Sequence, residues 1–378
     1  MVNYVFPGTF DPITYGHFTI VQKFLELIRP DDKIIIAVSS SPMKKPFLSF
    51  DERFQAISSV LSKMDISLKN KVLVEKIIGN TADFIYKKNA ICIRGIRNID
   101  DLKYESYWPV SRSSRNPVDI FLLIPIFDES SKSISSTFFK KKFNDLYIET
   151  QQYLDLYDNL KHIAHKEIID IFCTKHSINP SDEENCISNF QLKEAYIHNK
   201  IGCIIADYNV LDNGHINFIK NNLNLTDELI IFVPNRIEHQ KIEFNTRYNL
   251  TQKIIKEIGA PKIKIIECEE LTNIQNISEL LKKHKINQLF FEMREYHTRN
   301  EQKLNDIFER MKELSENNID LIITLQEKFR DISQPLIFNI SHDEYEAKTP
   351  DNQSMLNKYI PKQSKDVIKK FIDDFYHN

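Results

Sequence analysis

A Gly-His pair stands at Gly16–His17 and returns at Gly214–His215, each time between a short apolar run and a helical pattern, 198 residues further on. Ile134-Ser135 and Ile332-Ser333 repeat at that same offset, and Arg53 and Arg247 recur at a slightly different one. One such coincidence is cheap, but two in register are not. Self-similarity at a fixed period means one structural unit used twice. The 378 residues agree, since a domain takes roughly 150.

Within each half, strand-like runs alternate with helical patterns. In the first, Asn3–Phe6, Lys33–Val38, Val72–Val74, Ala90–Ile93 and Ile120–Ile124 read as strands. Between them, His17–Ile28 carries Phe18, Val21, Leu25 and Ile28 at helical spacing. Ser49-Phe-Asp-Glu52 is a capping box opening a helix to about Lys63, and further helices fall near 81–88 and 100–108. The second half restarts at Gly202–Ala206 and continues through strands at Leu229–Val233, Lys262–Glu267, Gln288–Phe291 and Asp320–Leu325, with helices between. Strands separated by helices require a parallel sheet with right-handed crossovers. The expected fold class is α/β, two tandem Rossmann-like domains with parallel sheets. The expected organisation is one domain over 1–178, a linker over 179–198 around the Asn179-Pro-Ser-Asp loop, and a second domain over 199–378. The stretch Phe143–Leu192 reads as mostly helical and polar.

Charge and cysteine usage exclude several classes. Lys and Arg number 50 against 53 Asp and Glu, a formal charge of −3, so no nucleic-acid partner is expected of a chain without a basic footprint. The five cysteines are scattered with no CxxC, which reads as reduced thiols in a cytoplasmic protein. No apolar run approaches the roughly 18 residues of a membrane span. His162 and His165 form an HxxH pair read as lying exposed on one helix; no third ligand accompanies them, so no metal site is expected there.

Chemistry concentrates in Pro7-Gly-Thr-Phe-Asp-Pro-Ile-Thr-Tyr-Gly-His17, directly between a strand and a helix. That is the carboxyl end of a parallel strand, where ligands bind in open α/β sheets. The next helix offers its free N–H groups to an anion. Thr9 can donate a hydroxyl, and His17 can hydrogen-bond a phosphoryl oxygen. The stretch resembles the signature of the phosphopantetheine adenylyltransferases, nucleotidyltransferases with an HxGH-type motif in which Thr14 takes the first histidine's place. Ser41-Pro-Met-Lys-Lys-Pro46 resembles the family's lysine loop, Ile93-Arg-Gly-Ile-Arg97 with Asp101 and Glu105 its arginine block, and Ile134-Ser-Ser-Thr137 its serine motif. The match covers about residues 3–145.

The resemblance implies transfer of AMP from ATP to 4′-phosphopantetheine, giving dephospho-CoA and pyrophosphate with Mg²⁺ present. It implies His17, Lys44 and Arg94 as catalytic residues, with Thr9, Lys44 and Arg94 on the acceptor. Nucleotide contacts are implied for Thr9, Phe10, His17, Gly95, Arg97, Asp101, Glu105, Ser135, Ser136 and Thr137. Single-domain relatives are oligomers, so a homo-oligomer is expected. Pro109 and the Val110–Arg115 stretch depart from the family pattern, as does Lys141 where a glutamate is usual; these fall where the pantetheine arm would lie. Another nucleotidyltransferase, such as a cytidylyltransferase, is the nearest rival, and a non-catalytic binding module is a rival of another class.

The second half keeps Gly214–His215 but loses the cations. At the 198 offset Thr9 becomes Asp207, Arg94 becomes Glu292, Arg97 becomes Glu295, and Ser136-Thr137 becomes Gln334-Pro335. Unit charges about 4 Å apart interact by a few kcal/mol at an effective dielectric near 20, so ATP is not expected to bind there. The expected role of this copy is structural or regulatory, with one catalytic site per chain.

Overall fold

The computed structural model describes residues 1–40, 45–107, 121–127, 134–181, 190–193, 199–206, 211–237, 242–269, 274–293, 300–325, 361 and 364–366. It divides into two compact units, Met1–Ile197 and His198–Asn378.

The first unit runs β1 (Asn3–Gly8), α1 (Tyr15–Leu27), β2 (Lys33–Ser39), α2 (Phe50–Ser62), α3 (Ile66–Lys69), β3 (Val72–Ile77), α4 (Thr81–Lys87), β4 (Ala90–Ile96), α5 (Ile99–Tyr107) and β5 (Phe121–Pro125). Its strands lie in the order β3-β2-β1-β4-β5, paired in parallel. Strand β2 shows why the sequence folds this way. Ile34, Ile35, Ile36, Ala37 and Val38 are all buried, the continuous apolar run of a strand covered on both faces. Helix α2 starts where the capping box predicts: the Glu52 amide donates to Ser49 Oγ at 3.2 Å, and the Ser49 amide donates to Glu52 Oε2 at 2.6 Å.

Three more helices follow, α6 (Ser136–Glu149), α7 (Tyr153–Leu160) and α8 (Lys166–Lys175). They were expected to be polar, yet they bury Phe139, Phe143, Leu156, Ile169 and Phe172. Their apolar residues are spread thinly enough along each helix that charges dominate the linear reading. The HxxH expectation also changes. The chain leaves α7 before His162 and enters α8 after His165, so the two histidines share no helix. His162 is exposed, while His165 is buried edge-on against Tyr15 and Phe18. Burial pushes its pKa down to about 4, leaving it a neutral core residue. The described part of the expected linker packs on α1: Phe190 stacks on Tyr15, and the Lys193 amide donates to Gln22 Oε1 at 2.8 Å.

The second unit comprises β6 (Ile201–Ile205), α9 (Asn213–Asn222), β7 (Glu228–Pro234), α10 (Phe244–Ile258), β8 (Ile263–Cys268), α11 (Ile274–Lys283), β9 (Gln288–Met293), α12 (Glu301–Glu316) and β10 (Asp320–Leu325). Its order, β8-β7-β6-β9-β10, again parallel, repeats that of the first unit strand for strand. The duplication read from the Gly-His pairs is therefore a duplication of topology.

A buried arginine ties the loops together in both copies. Arg53 Nε donates to Leu48 O at 3.2 Å, and its Nη1 to Ser39 O at 2.8 Å and to Thr9 O. Arg247 Nε donates to Ile242 O at 3.2 Å and its Nη2 to Pro234 O at 2.8 Å. Both side chains close off carbonyls at the carboxyl end of the second strand of their unit. An unmet buried carbonyl there costs on the order of 1–3 kcal/mol.

Candidate active site

At the carboxyl ends of β1 and β4 lies a cavity of about 590 Å³, a size suited to a small-molecule site. Thr9, Phe10, His17, Arg94, Gly95, Arg97, Asp101, Glu105, Ser136 and Thr137 all line it. Residues from three blocks separated by up to about 120 positions thus meet in one place. Lys45 represents the lysine loop in the lining; Lys44 lies outside the described residues, as do Trp108 through Ile120. Ser135 faces the helix instead: its hydroxyl accepts from the Phe138 amide at 3.2 Å and caps α6.

Gly16 lets two of these blocks touch. A Cβ there would sit 2.2 Å from Ile134 O, so only glycine allows the serine block to close on the start of α1. Ser136 Oγ adds a bond to Pro12 O at 2.7 Å.

His17 sits in the first turn of α1. The Thr14 amide donates to its Nδ1 at 3.1 Å, the reciprocal bond of a capping box made with imidazole in place of a glutamate. An accepting Nδ1 assigns the ring proton to Nε2. Burial, then the guanidiniums of Arg97 and Arg94, push its pKa down to about 3. His17 is thus a neutral Nε2–H donor packed by Phe10, whose ring centroid lies 5.3 Å away. Phe10 itself is 3% exposed, so what it offers a nucleotide is backbone, held at a left-handed φ of 49°.

Both arginines arrive oriented. Arg94 Nε donates to Glu105 at 2.7 Å and Nη1 to Pro7 O at 2.5 Å. Burial opposes its charge, and the Glu105 carboxylate more than compensates, holding the guanidinium firmly protonated. Arg97 Nε and Nη2 fork onto the Asp101 carboxylate at 2.8 and 3.2 Å. Asp101 and Glu105, expected beside a nucleotide, hold the two arginines in the lining. A neutral donor between fixed cations at a helix start is a preorganised binding site for phosphoryl oxygens.

Asp11 and Lys140 also line the cavity, and neither was assigned a role from sequence. Asp11 is 4% exposed and pairs with Lys140 at 2.8 Å. Asp11 lay in plain view inside the quoted motif, but its partners are distant in sequence.

In the second unit His215 repeats the cap. The Asp212 amide lies 3.2 Å from His215 Nδ1, and the His215 amide donates to Asp212 Oδ1 at 2.8 Å. Its Nε2 faces Glu292 Oε2 at 3.9 Å. The reversal from Arg94 to Glu292 therefore falls on the histidine itself. Asp207, Glu295, Ile332, Ser333, Gln334 and Pro335 lie outside the described residues.

Fold and site together define a nucleotidyltransferase. A cytidylyltransferase-like family model matches residues 5–142 and again 204–344, and the chain belongs to that family, twice over. Among curated relatives, the phosphopantetheine adenylyltransferase of Cupriavidus taiwanensis is 34% identical over 143 residues, 37% of this chain and 83% of that protein. The enzyme of that name from Thiobacillus denitrificans is 35% identical over 127 residues, 33% of this chain and 74% of its own. Among solved structures, Plasmodium falciparum nicotinic acid mononucleotide adenylyltransferase complexed with NaAD overlaps with a TM-score of 0.34 at 17% identity, over 47% of this chain and 97% of that one. Among the described residues, no helix is long and apolar enough to cross a membrane.

Proposed function

We propose that the first unit transfers AMP from ATP to 4′-phosphopantetheine, giving dephospho-CoA and pyrophosphate. The observation that carries this reading is His17: a neutral Nε2–H donor held beside Arg94 and Arg97 in one cavity. The relatives named phosphopantetheine adenylyltransferase, matched over most of their length, support the choice of acceptor.

An oxygen of the acceptor phosphate attacks the α-phosphorus of ATP in line, and the bond from that phosphorus to the pyrophosphate oxygen breaks. No enzyme nucleophile is needed; catalysis is positioning and charge stabilisation. His17 donates to an α-phosphoryl oxygen. Lys44 and Arg94 hold the acceptor phosphate with Thr9 beside them. Arg97, Ser136 and Thr137 take the β- and γ-phosphates at the start of α6, where the helix dipole favours negative charge. Mg²⁺ in this proposal travels with the triphosphate. The second unit, with Glu292 facing His215, carries no turnover of its own.

The test is pyrophosphate release by the purified full chain with Mg²⁺, 4′-phosphopantetheine and either ATP or CTP. Release with ATP alone supports the proposal. Release only with CTP moves the chain to cytidylyl transfer. No release, or release untouched by His17→Ala, removes the catalytic reading.

A further inference from the structure

We propose that Asp11 is a positioning residue of the acceptor side, the group that sets the lysine loop against the reacting phosphates. This rests on the reading of the first unit as a transferase acting on a phosphorylated acceptor.

Asp11 lies between β1 and α1, and its carboxylate collects three donors from two distant segments. Leu48 N–H donates to Oδ1 at 2.9 Å, Phe47 N–H to Oδ2 at 2.9 Å, and Lys140 Nζ to Oδ2 at 2.8 Å. Phe47 and Leu48 directly follow Lys45-Pro46, so the carboxylate grips the loop by two consecutive amides just past its lysines. Leu48 is held at both ends, because Arg53 takes its carbonyl. A buried carboxylate demands such donors, and here they all come from segments that line or border the cavity. A loop lysine can hold an acceptor phosphate for attack only if the backbone beneath it is fixed.

The second unit separates this role from plain scaffolding. Arg247 keeps Arg53's bonds to the carbonyl before the second helix and to the end of the second strand. At the 198 offset, however, Asp11 becomes Asn209 and Lys140 becomes Phe338. The copy that retained the arginine scaffold lost both members of the carboxylate–lysine pair, just as it lost Arg94. Arg53 goes with the fold, and Asp11 goes with the chemistry.

The experiment compares the full chain with Asp11→Asn, Lys140→Met and Lys175→Ala. Lys175 reaches the same loop from outside, donating to Phe47 O at 2.9 Å. For Asp11→Asn, kcat/KM for 4′-phosphopantetheine should fall about 100-fold, the scale of a 1 Å misplacement. Affinity for a non-hydrolysable ATP analogue should stay within about threefold, because the Asp11 carboxylate bonds none of Arg97, Ser136 and Thr137, the groups assigned to the β- and γ-phosphates. Lys140→Met should show a smaller loss of the same acceptor-only kind, which keeps the test alive if Asp11→Asn does not fold. Lys175→Ala should stay within about twofold throughout, as its partly exposed ion pair with Glu52 at 2.9 Å contributes little. Hydrogen exchange at the Phe47 and Leu48 amides should quicken in Asp11→Asn and not in Lys175→Ala. An equal loss of ATP-analogue and acceptor affinity, or an unchanged acceptor kcat/KM, overturns the proposal. If the wild-type chain turns over no phosphopantetheine, the exchange measurement still decides: unchanged Phe47 and Leu48 amides in Asp11→Asn overturn it.

Discussion

His17 and His215 occupy the same place in two copies of one sheet, yet their surroundings are opposite. His17 faces two guanidiniums and stays neutral; His215 sits between the carboxylates of Asp212 and Glu292. Both nevertheless make the same bond, Nδ1 to the amide that opens the helix. The Gly-His pair therefore has a structural duty, closing the first turn, that survives the reversal of charge around it. A motif can persist because it caps a helix, and the cations around it reveal whether it also binds phosphate.

The sharpest way to break this comparison is to remove each histidine in turn. His17→Ala should lower turnover by about 10²–10³, the usual loss for one preorganised donor at developing charge, measured as pyrophosphate release at saturating substrates. A loss under tenfold would put the transition-state contact elsewhere.

The buried arginines should behave alike where the histidines do not. Arg53→Met and Arg247→Met each strand buried carbonyls, so each should destabilise its unit by about 3 kcal/mol, given about 1–3 kcal/mol for each unmet group. Chemical denaturation followed for each variant would show it. A silent Arg247→Met would mean that the two scaffolds are not equivalent.

Acidification gives a smaller, directional effect. His17's folded pKa is depressed to about 3, so its neutral form contributes stability fully above the unfolded value near 6.5. That contribution is lost as pH falls through the window from about 6.5 to 3, because the unfolded chain binds the proton first. Against wild type, His17→Asn should flatten the fall in thermal midpoint across that window. An unchanged slope would place the imidazole in water.

The smallest effect belongs to His215→Ala. It should leave turnover within about twofold while costing about 1 kcal/mol of stability, the value of a helix cap. A large fall in kcat would give the second unit a part in the reaction.

Much of this was legible in the sequence because the deciding signals were local. Runs such as Ile34–Val38 placed the strands, Ser49 and Glu52 placed a helix start, and the Gly-His repeat placed the second unit. The site residues were legible as blocks, though Glu105 and Asp101 turn out to hold Arg94 and Arg97. What escaped was long-range. Asp11 binds backbone amides 36 and 37 positions away, and an amide leaves no mark in a sequence. His165 was misread because HxxH spacing implies one helical face only if a helix carries both, and here both lie in the connection between α7 and α8.

The pairing of the cavity's cations has a kinetic consequence. Among its described lining residues, Arg94, Arg97 and Lys140 are paired with Glu105, Asp101 and Asp11, which leaves the charge of Lys45 in excess, so the net field these residues send into solvent is small. Long-range steering accelerates encounter only where charge of one sign is focused in a cleft. Capture of a polyanion here should thus depend only weakly on ionic strength, and discrimination should come after arrival, over the short range at which the fixed guanidiniums act.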